Sequence, residues 1–188
     1  FIYAAWLMTY QGLVSRRRIQ MIAAAICLAL AVLSKGFVAL ALYGPVVVAY
    51  LAWSRRREWR DALRAFFDPW AVATFLAVLL PWHIAAMQAL PDFAWFYFVN
   101  EHIYRFLGMR QPPDYFTGSV FYYLPRLALM FLPWLPLLAL PRFVTRDIRA
   151  ADADLSRFLW CCVLTPLVFF SLSRAKAKYY AVVCGPAL

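Results

Sequence analysis

The sequence predicts an all-α fold: a polytopic membrane helical bundle with an interfacial helix in an outer loop. Three observations carry that expectation. Apolar types make up 65% of the 188 residues and charged types 15%, against roughly half and a quarter in soluble domains. The apolar residues come in blocks of membrane-spanning length. The basic residues gather at the ends of those blocks, as membrane anchors do. A mean hydropathy of +0.67 excludes disorder. The net charge of +10 would ordinarily suggest nucleic acid or an anionic surface. Because the arginines flank apolar runs, the membrane is the expected partner and nucleic acid is not.

The first block, 1–14, is a span. Arg16, Arg17 and Arg18 follow it. The next block, 19–53, is too long for one span of about 20 residues. Arg55, Arg56, Arg57 and Arg60 close it, so both of its ends carry the cytoplasmic signature. An even number of crossings must lie between them, which predicts two short spans, 19–34 and 37–53. Lys35 and Gly36 then form a turn on the outer side. At about 1.5 Å per residue such spans cover only about 25 Å, so the turn sits slightly below the membrane surface.

Alternation places the rest. Residues 54–68 form an amphipathic cytoplasmic piece, 69–89 run outward, and 90–118 form an outer loop. Residues 119–141 return to a cytoplasmic joint, 142–157, marked by Arg142, Arg146, Arg149 and Arg157. Block 158–173 runs outward again and 179–188 starts back. The whole chain reads as part of a single transmembrane domain. Phe1 and Leu188 both lie inside apolar runs, without a signal-peptide pattern, so a piece of a longer protein is expected. Cys27, Cys161, Cys162 and Cys184 lie in apolar blocks and read as packing residues.

The outer loop is dense in aromatics, among them Phe93, Trp95, Phe96, Tyr97, Phe98, Tyr104 and Phe106, which suits a helix at headgroup depth. Glu101 and Arg105 are four residues apart, on one helical face, and can pair. His83, beside Trp82 near a span end, reads as an interfacial residue. No nucleophile triad, glycine-rich phosphate loop or paired-carboxylate site is legible. Of the outer carboxylates Asp92, Glu101 and Asp114, none stands out as a base.

The departure from the usual charge bias is an outer set of cations: Lys35, Arg105, Arg110, Arg126, Arg174, Lys176 and Lys178. Cations there are costly unless water or an anion meets them. Phosphate suits both the planar fork of Arg and the point charge of Lys. Snorkelling anchors are the simpler reading of the same residues.

Several landmarks fall in a recognisable order. They are Leu33-Ser34-Lys35-Gly36, Pro81-Trp82-His83, Phe98-Val99-Asn100-Glu101-His102-Ile103-Tyr104-Arg105-Phe106, Arg110-Gln111-Pro112, Tyr122-Tyr123-Leu124-Pro125, Leu132-Pro133-Trp134, and the run from Phe170 through Lys176 to Tyr180. In this series the chain resembles the integral-membrane glycosyltransferases of the GT-C class. The nearest groups are the lipid A aminoarabinose transferases and the dolichyl-phosphate-mannose–protein mannosyltransferase family. The resemblance implies an enzyme of the bacterial inner membrane. It would move a sugar from a polyprenyl-phosphate donor to a lipid or protein acceptor at a periplasmic active site. It implies a lipid-phosphate pocket with Lys35, Arg105, Lys176 and Tyr180, Tyr180 being one of a doubled pair with Tyr179. It also implies a divalent metal as the one cofactor, with Glu101 or His102 the nearest ligands. The catalytic carboxylate is expected outside this sequence. Lys178 departs from the family pattern, which often has an uncharged residue there. A transporter or flippase for an anionic lipid or solute is the alternative, using the same cations without chemistry. It lacks the expected repeat symmetry.

Overall fold

The computed structural model describes residues 1–54, 59–113, 118–132, 148–177, 180 and 182–183, with only the backbone for 130–131 and 148–152. Among the described residues all regular structure is helical. Several sequence expectations lie outside them: Arg55, Arg56, Arg57, Asp114, Pro133, Trp134, Arg142, Arg146, Lys178, Tyr179, Cys184 and most of block 179–188.

The chain divides into two compact units, Phe1–Tyr104 and Arg105–Leu188. In the first, α1 (Ile2–Ser15) stops where Arg16 turns left-handed at φ 55°. After it, α2 (Arg18–Lys35) runs to Gly36, whose φ of +85° suits glycine, and whose N–H still reaches the Val32 carbonyl. The third helix, α3 (Val38–Trp53), contains Pro45. The long apolar block is therefore broken into two helices at Lys35-Gly36. A short α4 (Trp59–Phe66) precedes α5 (Pro69–Ala89). Asp68 caps α5, its carboxylate accepting from the Trp70 and Ala71 N–H groups, and Pro69 sits at the first turn. A wide π-type helix covers Trp95–Tyr104 in the outer loop.

Small residues let these helices approach closely. α2 packs against α1 and α5. Ala29, Ala31 and Val32 meet Ala39 and Leu79 in one buried cluster, flanked by Phe37, Phe75 and Val78. The outward side of α5 stays apolar: Leu76, Leu80, Ile84 and Met87 are each 40–46% exposed. Such a surface is unfavourable in water and neutral in lipid. Among the described residues, three helical stretches are long and apolar enough to cross a membrane, Arg18–Lys35, Pro69–Ala89 and Ala153–Leu172, with Val38–Trp53 shorter. The fold is that of an all-α membrane protein.

The second unit contains α6 (Arg105–Leu107), α7 (Leu124–Phe131) and α8 (Ile148–Leu172). The sequence reading starts this last helix at residue 158. It starts ten residues earlier because Arg149, Ala150, Ala151, Ala153 and Leu155 favour helix although the stretch is polar. Phe158, Cys161, Cys162 and Phe170 are buried along it.

Candidate functional site

Lys35, Glu101 and His102 lie in the first unit, and Arg105, Lys176 and Tyr180 in the second. Each group is described within its own unit.

In the first, the α2–α3 turn meets the π helix. Lys35 ends α2, where a cation complements the negative end of the helix dipole, and its side chain is exposed. Gly36, next to it, is buried. The Phe37 N–H donates to His102 Nε2 at 2.8 Å. His102 Nδ1 bonds the Tyr97 carbonyl. A ring of aromatic contacts surrounds this point: Phe37 lies 5.5 Å from His83, 6.0 Å from Tyr97 and 5.2 Å from Phe98.

His83 is a correction. The sequence reading makes it interfacial, yet it is 3% exposed. Its Nδ1 donates to the Leu79 carbonyl at 2.9 Å, and among the described residues its Nε2 has no hydrogen-bond partner. Packing against Phe37, Tyr97 and Phe98, which are distant in sequence, draws it inward.

The expected metal ligands do not fit a metal. Both ring nitrogens of His102 are engaged by the backbone, so neither offers a lone pair to a cation. Among the described residues no three His, Cys, Asp or Glu side chains come together. One neighbouring carboxylate, Glu101, does not make a closed set.

In the second unit Lys176 and Tyr180, two of the residues expected to bind phosphate, follow the C-terminal end of α8. Lys176 is 3% exposed. Its ammonium donates to the carbonyls of Phe170 at 2.9 Å and Ser171 at 2.7 Å. These belong to the last turn, which has no intrahelical partners for its carbonyls. Burial holds the Lys176 amine below its ordinary pKa of 10.5. Gly118 makes room for its stem, since a Cβ there would stand 3.2 Å from Lys176 Cγ. The Tyr180 ring stacks on Phe170 at 4.5 Å. Tyr123 pins the same segment: its hydroxyl donates to the Ala177 carbonyl at 3.3 Å and accepts the Ala177 N–H at 3.2 Å. Arg105 opens α6, and the next carbonyl, that of Phe106, accepts the Arg174 N–H at 3.1 Å. Three of the four expected phosphate-binding residues thus occupy joined segments.

The other outer cations are less suited to an anion. Arg126 lies over the Tyr122 ring, 3.7 Å from its centroid. Arg110 donates to the Pro112 carbonyl at 2.8 Å. Sequence reasoning missed Tyr123 and Gly118, because their partners are main chain and a lysine stem more than 50 residues away in sequence. The doubled Tyr122-Tyr123 was visible, but nothing in it points to residue 177.

No family model matches the chain. It is similar to curated proteins named undecaprenyl phosphate-alpha-4-amino-4-deoxy-L-arabinose arabinosyl transferase. That of Shewanella sediminis is 36% identical over 156 residues, 83% of this chain and 27% of that protein. That of Erwinia tasmaniensis is 33% identical over 175 residues, 90% and 30% respectively. That of Pseudomonas aeruginosa is 38% identical over 153 residues, 81% and 26%. The chain therefore spans about a quarter to a third of the length of these relatives. Among solved structures, ArnT of Cupriavidus metallidurans bound to undecaprenyl phosphate superimposes with a TM-score of 0.76 at 30% identity. The match covers 98% of this chain and 33% of that one. Its apo form gives a TM-score of 0.77 at 28% identity. The resemblance to GT-C aminoarabinose transferases, read from the ordered motifs, holds in both sequence and fold, and the chain is that of a bacterial membrane protein.

Proposed function

From this likeness to the aminoarabinose transferases, we propose that the chain forms the lipid-phosphate-binding part of a glycosyltransferase. The enzyme transfers 4-amino-4-deoxy-L-arabinose from undecaprenyl phosphate to lipid A at the periplasmic face of the inner membrane. The observation that carries the reading is the match of 98% of the chain, at a TM-score of 0.76, to a structure holding undecaprenyl phosphate.

The chemistry agrees with the residues. Breaking the sugar–phosphate bond leaves the bonding electron pair, and a growing negative charge, on the lipid phosphate. Fixed cations in a poorly hydrated site stabilise that charge as it develops. Within the second unit Arg105 offers a planar fork of donors, and within the first Lys35 places a cation at a helix end. Lys176 gives two N–H groups to carbonyls, which fixes its position and leaves its charge beside the segment that carries Tyr180. Tyr180 adds a hydroxyl donor. The acceptor hydroxyl or phosphate attacks the anomeric carbon, and its proton passes to a base supplied from outside the chain described.

The test compares Arg105→Ala with Arg60→Ala in the full-length protein. Transfer of labelled aminoarabinose from undecaprenyl phosphate to lipid A is measured. Loss of one charge-assisted contact costs about 1.5–3 kcal/mol, roughly a ten- to hundred-fold fall in transfer. The expected result is that fall for Arg105→Ala and near-normal transfer for Arg60→Ala, an exposed residue of α4. Equal transfer by the two overturns the phosphate pocket. Movement of the lipid across the membrane without sugar transfer overturns the enzyme reading in favour of a flippase.

A further inference from the structure

We propose that His102 is a positioning residue, a latch that fixes the Lys35-Gly36-Phe37 turn against the π helix, and not a metal ligand. Its bearing on catalysis rests on the reading of Lys35 as a phosphate-binding residue.

The hydrogen bonds define the role. Phe37 precedes α3, and no side chain of its own turn caps that helix. Its N–H is among the donors that a helix start leaves without an intrahelical acceptor. His102, 65 residues away, supplies the acceptor: Nε2 lies 2.8 Å from the Phe37 nitrogen. An accepting Nε2 carries no proton, so the neutral ring carries its proton on Nδ1, which donates to the Tyr97 carbonyl. One tautomer satisfies both bonds, and no ring lone pair is left to face a cation.

Gly36 is the second, independent sign of the latch. A Cβ there would stand 2.5 Å from His102 Nε2 and 3.4 Å from the Tyr97 hydroxyl. The imidazole occupies the space a side chain would need. The φ of +85° at Gly36 favours glycine as well. Tyr97 completes the seat: its ring is 4.9 Å from that of His102 at 71°, and the Phe37 ring is 6.0 Å away at 81°. The imidazole is thus held at both nitrogens and by aromatic neighbours from two elements. Lys35 immediately precedes the latched pair and is exposed. The direction in which it leaves α2 is therefore set by a bond made from the outer loop.

The experiment uses the full-length protein with four variants: His102→Ala, His102→Gln, Gly36→Ala and Lys35→Ala. A Gln side chain reaches as far as Nε2 and can accept the Phe37 N–H, but it is a poor ligand for a transition metal. His102→Ala is expected to lower kcat/KM for the undecaprenyl-phosphate donor about tenfold. His102→Gln is expected to restore most of that loss, and Lys35→Ala combined with His102→Ala to be little worse than Lys35→Ala alone. Thermal midpoints give a readout independent of the donor. Gly36→Ala should lower the midpoint less in the His102→Ala background than in the wild type, because the clashing imidazole is gone. Additive midpoints overturn the latch. His102→Gln as impaired as His102→Ala, with bound divalent metal lost in both, overturns it in favour of a metal site. An unchanged kcat/KM in Lys35→Ala with coupled midpoints overturns the phosphate role of Lys35 and leaves the latch standing.

Discussion

Thr9 has one hydroxyl hydrogen and gives it to the Ala5 carbonyl at 2.8 Å. The 2.6 Å contact between Thr9 Oγ1 and the Tyr43 hydroxyl must therefore be donated by Tyr43. Both side chains are buried, at 0% and 8% exposure. The direction of the bond makes the two single substitutions unequal. Thr9→Val keeps the shape and strands the Tyr43 hydroxyl, a loss of about 1–3 kcal/mol in water-soluble proteins and about 0.6 kcal/mol on average between membrane helices. Tyr43→Phe leaves Thr9 satisfied by Ala5 and costs less. Tyr43→Phe combined with Thr9→Val should recover much of the Thr9→Val loss, read as the thermal midpoint of the purified protein. A double variant as unstable as the sum of the singles refutes the assignment of the donor. Sequence did not reveal this pair. Thr9 reads as one more tolerated polar residue in an apolar run, and only the packing of α1 against α3 gives it a partner.

At the scale of elements, two acidic residues of the polar joint before α5, Asp61 and Asp68, have different work to do. Asp61 pairs with Arg16 at 3.0 Å on an exposed surface, where such a bridge contributes little. Asp68 pairs with Arg18 at 2.8 Å through one oxygen, and through the other accepts two N–H groups at the start of α5. Asp68→Ala should therefore cost about 1–2 kcal/mol through the lost cap. Asp61→Ala should cost less than about 0.5 kcal/mol. Urea or thermal unfolding in detergent measures both, and equal costs would refute the cap. The start of α5 at residue 69 is legible in sequence as the edge of an apolar block, while its cap by Asp68 is seen only in the structure. The break at Lys35-Gly36 is legible as well, since it follows from charge at both ends of a block too long for one span. The start of α8 is not legible from hydropathy, since polar residues with good helix propensity continue the helix past the apolar run. The C-terminal cap of α8 by Lys176 is equally hidden, because its acceptors are carbonyls and carbonyls have no sequence signature.

For the whole molecule, the positions of Lys35, Arg105 and Lys176 were legible as a charge anomaly, but what each does locally was not. Lys176 serves a helix end, Arg126 an aromatic ring and Arg110 a neighbouring carbonyl. An excess of outer cations therefore overstates the number available to a phosphate. The phosphate reading of Lys35 and Arg105 depends on sidedness. The positive-inside argument predicts Lys35 and Arg174 on the periplasmic face and Arg60 in the cytoplasm. Cysteine at 35 or 174, in a background lacking Cys27, Cys161, Cys162 and Cys184, should react in intact spheroplasts with a membrane-impermeant maleimide. Cysteine at 60 should react only after the membrane is permeabilised. The reverse pattern would put the exposed ammonium of Lys35 on the cytoplasmic side. A periplasmic lipid phosphate would then be out of its reach, since the low-dielectric core separates the two faces by about 30 Å. Agreement would keep an anion at the outer face as a reason for cations to stand against the usual bias there, beside the snorkelling and helix-end roles of the same residues.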